Sequence, residues 1–251
     1  MTRPDFSRTA TDYAACRPEF PAELFSRLVR FGIGLPGQLV LDVGAGTGLL
    51  GRTLARNGAR VVLADPSDEL LGRSPQLPGG ELCETVVALA ELLPFPDQTF
   101  DAATAAQCWH WFDRARAPRE TIRVLRPGAA LAIIYQMYLP LPGTVAQRSE
   151  SLILRYRPNW PHANSTGISG QALRDMQLAG FVRIESFSFD VAHQFTHDAW
   201  RGLIRTTSAV GASMPPEMIQ AFDADHARML ASEPATLDIP HRVFVAIGNA
   251  P

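Results

Sequence analysis

Three glycines and two acids, set close together, carry the first chemical signal in this sequence. Asp42 precedes Gly44, Gly46 and Gly48 in the stretch from Val40 to Leu50, and Asp65 follows 23 residues after Asp42. The apolar run before the glycines reads as a buried strand and Leu49 to Arg56 as a helix, so the glycines form the turn between them. Glycine takes positive φ without a Cβ clash, which lets the backbone of such a turn approach an adenosine-type cofactor closely. The spacing departs from the dinucleotide fingerprint G-x-G-x-x-G, because Leu49 stands where the third glycine belongs. A phosphate loop needs Gly-Lys-Ser/Thr, and the chain has no lysine at all. The acid at position 42 opposes a pyrophosphate, which wants N–H donors and positive charge, and suits a cofactor with a cationic amine and a sulfonium. A purely structural turn explains one or two of the glycines, but poorly explains three with a leading acid.

Asp65 ends a second apolar strand, Arg60 to Ala64, where an acid accepts hydrogen bonds from both hydroxyls of a ribose. It is equally placed to cap the next helix, with Pro66 at the first helical position. The two roles are compatible. Further along, Trp109-His110-Trp111-Phe112 follows a fourth strand. Aromatic faces attract a sulfonium by about 0.5–2 kcal/mol each, and His110 is a weak candidate for a general base because imidazole titrates near neutrality. The alternative buries one tryptophan in the core and uses His110 to order the following helix. Tyr135 and Gln136, ending a fifth strand, face the same site on topology. Trp160, His162, His197 and Trp200 read as packing residues.

The elements that must position these residues alternate. Strands are expected near Val40, Arg60–Ala64, Val86–Ala88, Phe100–Ala106 and Ala129–Tyr135, with helices after the first, second and fourth, a loop between the third and fourth, and another helix over Glu19–Phe31. Such alternation predicts a doubly wound, mostly parallel sheet whose ligands sit beyond the carboxyl ends of the strands. In the second half, a helix over Gln171–Ala179 leads into a strand from Phe181 to Phe189. Helical stretches over Trp200–Val210 and Pro216–Leu230 precede a terminal strand, Arg242–Ile247. Residues 139–170 are rich in turn signals. The expected architecture is a single Rossmann-like domain over 1–251. It comprises N-terminal lid helices in 1–30, a cofactor-binding core in 31–138, and substrate-lid segments plus the last two strands in 139–251.

Composition narrows the function classes. The chain has 251 residues, 46% of them hydrophobic, enough for one sizeable core. A net charge of −2 leaves no basic footprint, so nucleic acid is excluded as a partner. All 23 basic residues are arginine, which rules out lysine Schiff-base chemistry. Three scattered cysteines form neither a disulfide framework nor a metal pattern. With no signal-peptide core and no apolar run of membrane-spanning length, a soluble cytoplasmic protein is expected, with a small-molecule partner and no metal.

VLDVGAGTG, the acid in ADPS, AELLPFPDQTFD and IRVLRPG occur in this order and together resemble a class I S-adenosylmethionine-dependent methyltransferase of the type-11 kind, over roughly residues 38–135. The resemblance implies S-adenosyl-L-methionine as cofactor and S-adenosyl-L-homocysteine as product. It places Gly44, Ala45 and Gly46 along the methionine part, Asp65 and Pro66 at the ribose, Ala90 and Glu91 at the adenine, and Gln107 behind the cofactor. The family often has Gly-Asp before Ala-Glu, where this chain has Ala88 and Leu89, so an acid for the adenine amino group is missing. At the N-terminus, Tyr13, Arg17-Pro18 and Phe20-Pro21 are similar to the trans-aconitate-methyltransferase-like branch, which also carries His-Trp-Phe after the fourth strand. There Tyr13 and Arg17 are implied to meet the cofactor carboxylate from a lid, and His110, Trp111 and Tyr135 to line the acceptor site. A surface arginine stacked on a tyrosine explains the first pair as well. The expected activity is methyl transfer to a small molecule, with a carboxylate oxygen as leading acceptor. N- or C-methylation and non-catalytic cofactor binding are the alternatives.

Overall fold

The computed structural model describes residues 16–211 and 213–251. These divide into two compact units. Of the described residues, one unit, the sheet unit, comprises 19–136, 168–189 and 243–251; the other, the helical unit, comprises 16–18, 137–167, 190–211 and 213–242. Tyr13 lies outside the described residues.

Seven strands form one sheet: β1 (Leu39–Val43), β2 (Arg60–Asp65), β3 (Cys83–Val87), β4 (Phe100–Ala106), β5 (Leu125–Tyr138), β6 (Val182–Thr196) and β7 (Thr236–Asn249). Their spatial order is β3-β2-β1-β4-β5-β7-β6. The pairs β1–β2, β1–β4, β2–β3 and β4–β5 are parallel. Strand β7 runs antiparallel to β5, since Gly128 and Ala129 bond Ala250 while Leu139 bonds Pro240. Parallel strands covered on both faces need near-continuous apolar sequence. Val40, Leu41, Leu63, Ala102, Ala103 and Leu131 to Ile134 meet that need, all essentially inaccessible.

Helices in the sheet unit are α1 (Ala22–Arg30), α2 (Leu49–Arg56), the single turn α3 (Asp68–Leu71) and α4 (Ala117–Val124). Leu50 and Leu54, one turn apart on α2, are both buried. The helix stops at Asn57-Gly58, where Gly58 has φ +98°. Strand order reverses at β1, which has β2 on one side and β4 on the other, and a ligand crevice opens beyond the carboxyl ends of strands at such a point.

The helical unit contains α5 (Val145–Tyr156), α7 (His197–Arg205) and α8 (Pro216–Leu230), while α6 (Gly170–Ala179) belongs to the sheet unit. Its core gathers Trp200, Phe222, Leu152, Ile153 and Ile204. Thr144 and Thr196 cap α5 and α7 through their hydroxyls. Helix α5 occupies a region expected to be dominated by turns. The prolines there flank the helix instead of interrupting it, and its apolar residues are spaced to pack on α8. The last two strands also run longer than their apolar stretches, because β6 is half exposed along most of its length and shows no hydrophobic run.

Within this core the Trp200 indole donates to Ser149 Oγ (2.9 Å), and Ser149 pairs with His226 Nε2 (2.9 Å). Burial lowers the His226 pKa from 6.5 to about 4. The folded state therefore favours the neutral ring. Its stability contribution is complete above pH 6.5 and is lost as pH falls toward 4, by up to about 3 kcal/mol. In His226→Gln, the drop in thermal midpoint between pH 7 and pH 4.5 is expected to be shallower than in wild type, as followed by circular dichroism.

Candidate cofactor site at the strand ends

The turn after β1 is held by its neighbours' backbone. Gly44 and Ala45 N–H both donate to Ala64 O (2.7 and 3.1 Å). Gly44, Gly46 and Gly48 have φ of +67°, +58° and +77°, the region that favours glycine. A Cβ on Gly44 would lie 2.8 Å from Cys108 and from the Phe112 ring, so the loop after β4 packs directly on the turn.

Asp65 ends β2 with its carboxylate tied to this turn. Oδ2 accepts from Gly46 N–H and Oδ1 from Ser67 N–H, each at 2.9 Å. These two bonds orient the carboxylate at the strand end. Pro66 beside it is exposed. The helix-capping part falls to Ser67, whose hydroxyl accepts from Leu70 N–H.

Asp42 is turned into the fold. It is 1% exposed; Oδ1 accepts from the Thr104 hydroxyl on β4 (2.7 Å) and Oδ2 from Gly51 N–H in the first turn of α2 (3.1 Å). Gly48, at the N-cap of α2, has no side chain to cap with, and Asp42 supplies that acceptor from the strand beneath. Gly51 also admits the close approach of α2 to the sheet, since a Cβ there would meet Leu63 at 2.4 Å. Thus Asp42 shapes the turn from behind, and the third packing glycine of this motif is Gly51. Gly46, Gly48 and Gly51 in fact keep the G-x-G-x-x-G spacing, which counting from Gly44 missed, so it is the absence of a basic side chain and not the glycine spacing that speaks against a pyrophosphate. Thr104 gave no local signal, because it lies 62 residues from the acid it binds.

The remaining expected residues assemble along the adjoining strand ends. Ala90 is buried after β3; Glu91 Oε1 accepts from Asp113 N–H (2.7 Å) and so ties the two loops together. Glu120 and Arg123 on α4 strap the same loop through Leu93 and Phe95. Gln107 takes φ +61°, uncommon for a residue with a side chain, and its amide donates to Gln136 O. The aromatic turn divides. Trp109 is buried and donates to Asp175 Oδ2 (3.2 Å) on α6, whereas His110 is exposed with its ring 4.4 Å from Trp111 and 5.9 Å from Tyr135. Tyr135 is buried, its hydroxyl engaged by Ser169 and the His110 backbone, and burial pushes its phenol up. Arg17 lies in the helical unit. A cavity of about 300 Å³ opens elsewhere, at the amino ends of β1 and β2, lined by Leu39, Arg60 and Glu84. No group of three metal-ligating side chains exists among the described residues.

These groups fit a nucleoside cofactor without a pyrophosphate. The turn brings glycine backbone and an oriented ribose-type acid to the strand ends, and residues 42–50 include no basic side chain. The nearby Arg52 is buried against Thr47 O and Pro78 O. Sheet order, glycine turn and β2 acid define a Rossmann-like nucleoside-cofactor protein. Comparison with known proteins narrows this. The methyltransferase domain family model (Methyltransf_11) matches residues 41–133. An uncharacterized methyltransferase of Mycobacterium tuberculosis is 30% identical over 235 residues, covering 92% of this chain and 87% of that one. A structure described as a type II methyltransferase from Anaeromyxobacter dehalogenans is 25% identical with TM-score 0.64, covering 93% of this chain and 98% of that one. A methyltransferase structure from an antibiotic biosynthesis pathway of Anabaena variabilis shares the fold at 20% identity, TM-score 0.61, with coverage of 87% and 96%. The chain belongs to the class I S-adenosylmethionine-dependent methyltransferases.

Burial raises the Asp42 pKa from 3.8 to about 7, partly offset by Thr104 and Gly51. For an acid raised on folding, the contribution is full below pH 3.8 and lost as pH climbs through 7. Asp42→Asn removes this dependence while keeping one acceptor. Relative to wild type, it is expected to gain stability between pH 5 and pH 8, by at most about 3 kcal/mol, measured by urea unfolding at both pH values.

Proposed function

We propose that this protein methylates a carboxylate oxygen of a small molecule. When bound, S-adenosylmethionine supplies a methyl group already activated on sulfonium, so the protein's task is alignment and exclusion of water. Asp65 would hold the ribose hydroxyls with its oriented carboxylate. The Gly44–Gly46 backbone would lie along the methionine part, with Asp42 bracing it from behind. Ala90 and Glu91 would flank the adenine, and Gln107 would back the site. His110 and Trp111 present rings toward the acceptor side, where aromatic surface excludes water.

The observation that carries the carboxylate reading is the state of Tyr135. Burial holds the Tyr135 phenol, in the last part of β5, protonated against the smaller opposing pull of its bonds to Ser169 and the His110 backbone, so it is no base. A carboxylate acceptor is already ionised and needs none, whereas a phenol, alcohol or carbon acid does. The short motifs at 13–21 and 109–112 support placement near the trans-aconitate-methyltransferase-like branch.

Two measurements test this. Calorimetry with S-adenosylhomocysteine is expected to show roughly 100-fold weaker binding for Asp65→Ala, since two hydrogen bonds to a charged group are lost, with NADH unbound by either protein. Turnover against a panel of carboxylic acids, phenols and amines is expected only with acids, and His110→Ala is expected to lower kcat less than 10-fold. A 100-fold fall, or methylation of phenols alone, would make His110 a base and overturn the carboxylate reading.

A further inference from the structure

We infer that the helical unit carries a binding site for a carboxylate on an apolar body, formed by Arg17, His193 and His241. The inference goes beyond the methyl-transfer reading and concerns residues of the helical unit alone.

The two histidines lie on neighbouring strands, β6 and β7, with rings 4.9 Å apart and perpendicular. His241 is 2% exposed, and its Nδ1 is bonded to Ile239 O (2.9 Å), which makes Nδ1 the protonated nitrogen and leaves Nε2 as a bare acceptor. Phe195 stacks on the other side of that ring at 5.8 Å. Nε2 of His193 is buried and has no hydrogen-bond partner among the described residues. Buried polar atoms are nearly always bonded, so an unsatisfied one marks a place where a partner is missing. Arg17 lies near enough for its charge to act on His241. Phe195 and Ile239, which contact His241, belong to an apolar core that also includes Leu237 and Trp200.

The acids and other charges of the surrounding elements face different partners. Glu150 on α5 binds Asn164 N–H and the Tyr138 hydroxyl. Asp190 pairs with Arg242, and Asp238 with Gln194; these even-numbered positions of β6 and β7 point to the opposite sheet face from His193 and His241. His226 is bonded to Ser149. A carboxylate is the partner that the cluster's chemistry selects: planar, singly charged, and compatible with an apolar body against the aromatic rings. Binding it turns a bare ring nitrogen into a donor, so a proton is taken up. Burial holds both histidines below their usual pKa, His241 at about 4. An arriving anion reverses that preference, and affinity rises as pH falls.

Calorimetry on the full-length protein with benzoate, hexanoate and inorganic phosphate tests this, at pH 6 and pH 8, in buffers of different ionisation enthalpy, with and without S-adenosylhomocysteine. Expected are binding of the two carboxylates, proton uptake, at least 5-fold tighter affinity at pH 6, and at least 10-fold loss in His193→Gln and His241→Gln. S-adenosylhomocysteine affinity should be unchanged in both. His193 is half exposed, so its variant remains informative if His241→Gln fails to fold. Preference for phosphate, absence of proton uptake, or undiminished binding in His193→Gln would overturn the inference. Binding of S-adenosylhomocysteine without any carboxylate would overturn it and leave methyl transfer standing. Binding of carboxylates without S-adenosylhomocysteine would overturn methyl transfer and leave this site standing.

Discussion

One buried carboxylate holds the cofactor end of the sheet unit together. Asp42 receives Thr104 from β4 on one oxygen and the first turn of α2 on the other. It thereby fixes the two strands on either side of the point where sheet order reverses to the helix that rises from it. An unpaired buried carboxylate is strongly disfavoured. Two donors make it tolerable, and the price is a pKa raised to about 7. The geometry of the glycine turn follows, because its start is anchored on Asp42 and its end on α2.

Around that anchor, much of the site is built from backbone. Ala64 O takes two amides from the turn, Asp65 takes a third, and the Glu91 carboxylate takes an amide from the loop after the aromatic turn. Backbone groups placed this way depend little on side-chain identity, provided glycine stands where φ is positive or space is short. Gly44 shows both constraints: its φ is +67°, and Cys108 and Phe112 leave no room for a Cβ. The recognition elements of the helical unit follow another logic, in which side chains distant in sequence meet on adjacent strands.

Local sequence made the sheet unit legible. Apolar runs of strand length, broken by Gly and Asn-Gly, marked β1, β2 and β4, and the order of motifs identified the methyltransferase fold. Asp65, Ala90 and Gln107 come to strand ends as their positions implied. The turn-rich reading of 139–170 missed α5, and β6 escaped full notice because a half-exposed edge strand has no continuous apolar run. The aromatic turn shows a finer limit. Periodicity could not say which tryptophan enters the core, because that depends on Asp175 in α6, 66 residues away.

By itself, then, the sequence determined the order of strands and helices through the parallel part of the sheet, the glycine turn and the acid at the end of β2, since each follows from local backbone preference and hydrophobic spacing. Tertiary structure alone decided what Asp42 does. Its charge suggested a choice of cofactor, yet burial places it between Thr104 and Gly51, where it braces the turn. It also brought His193 and His241 together, separated by 48 positions in sequence and joined by neighbouring strands. Partners so far apart are chosen by sheet register and burial, and neither is written in any short stretch of chain.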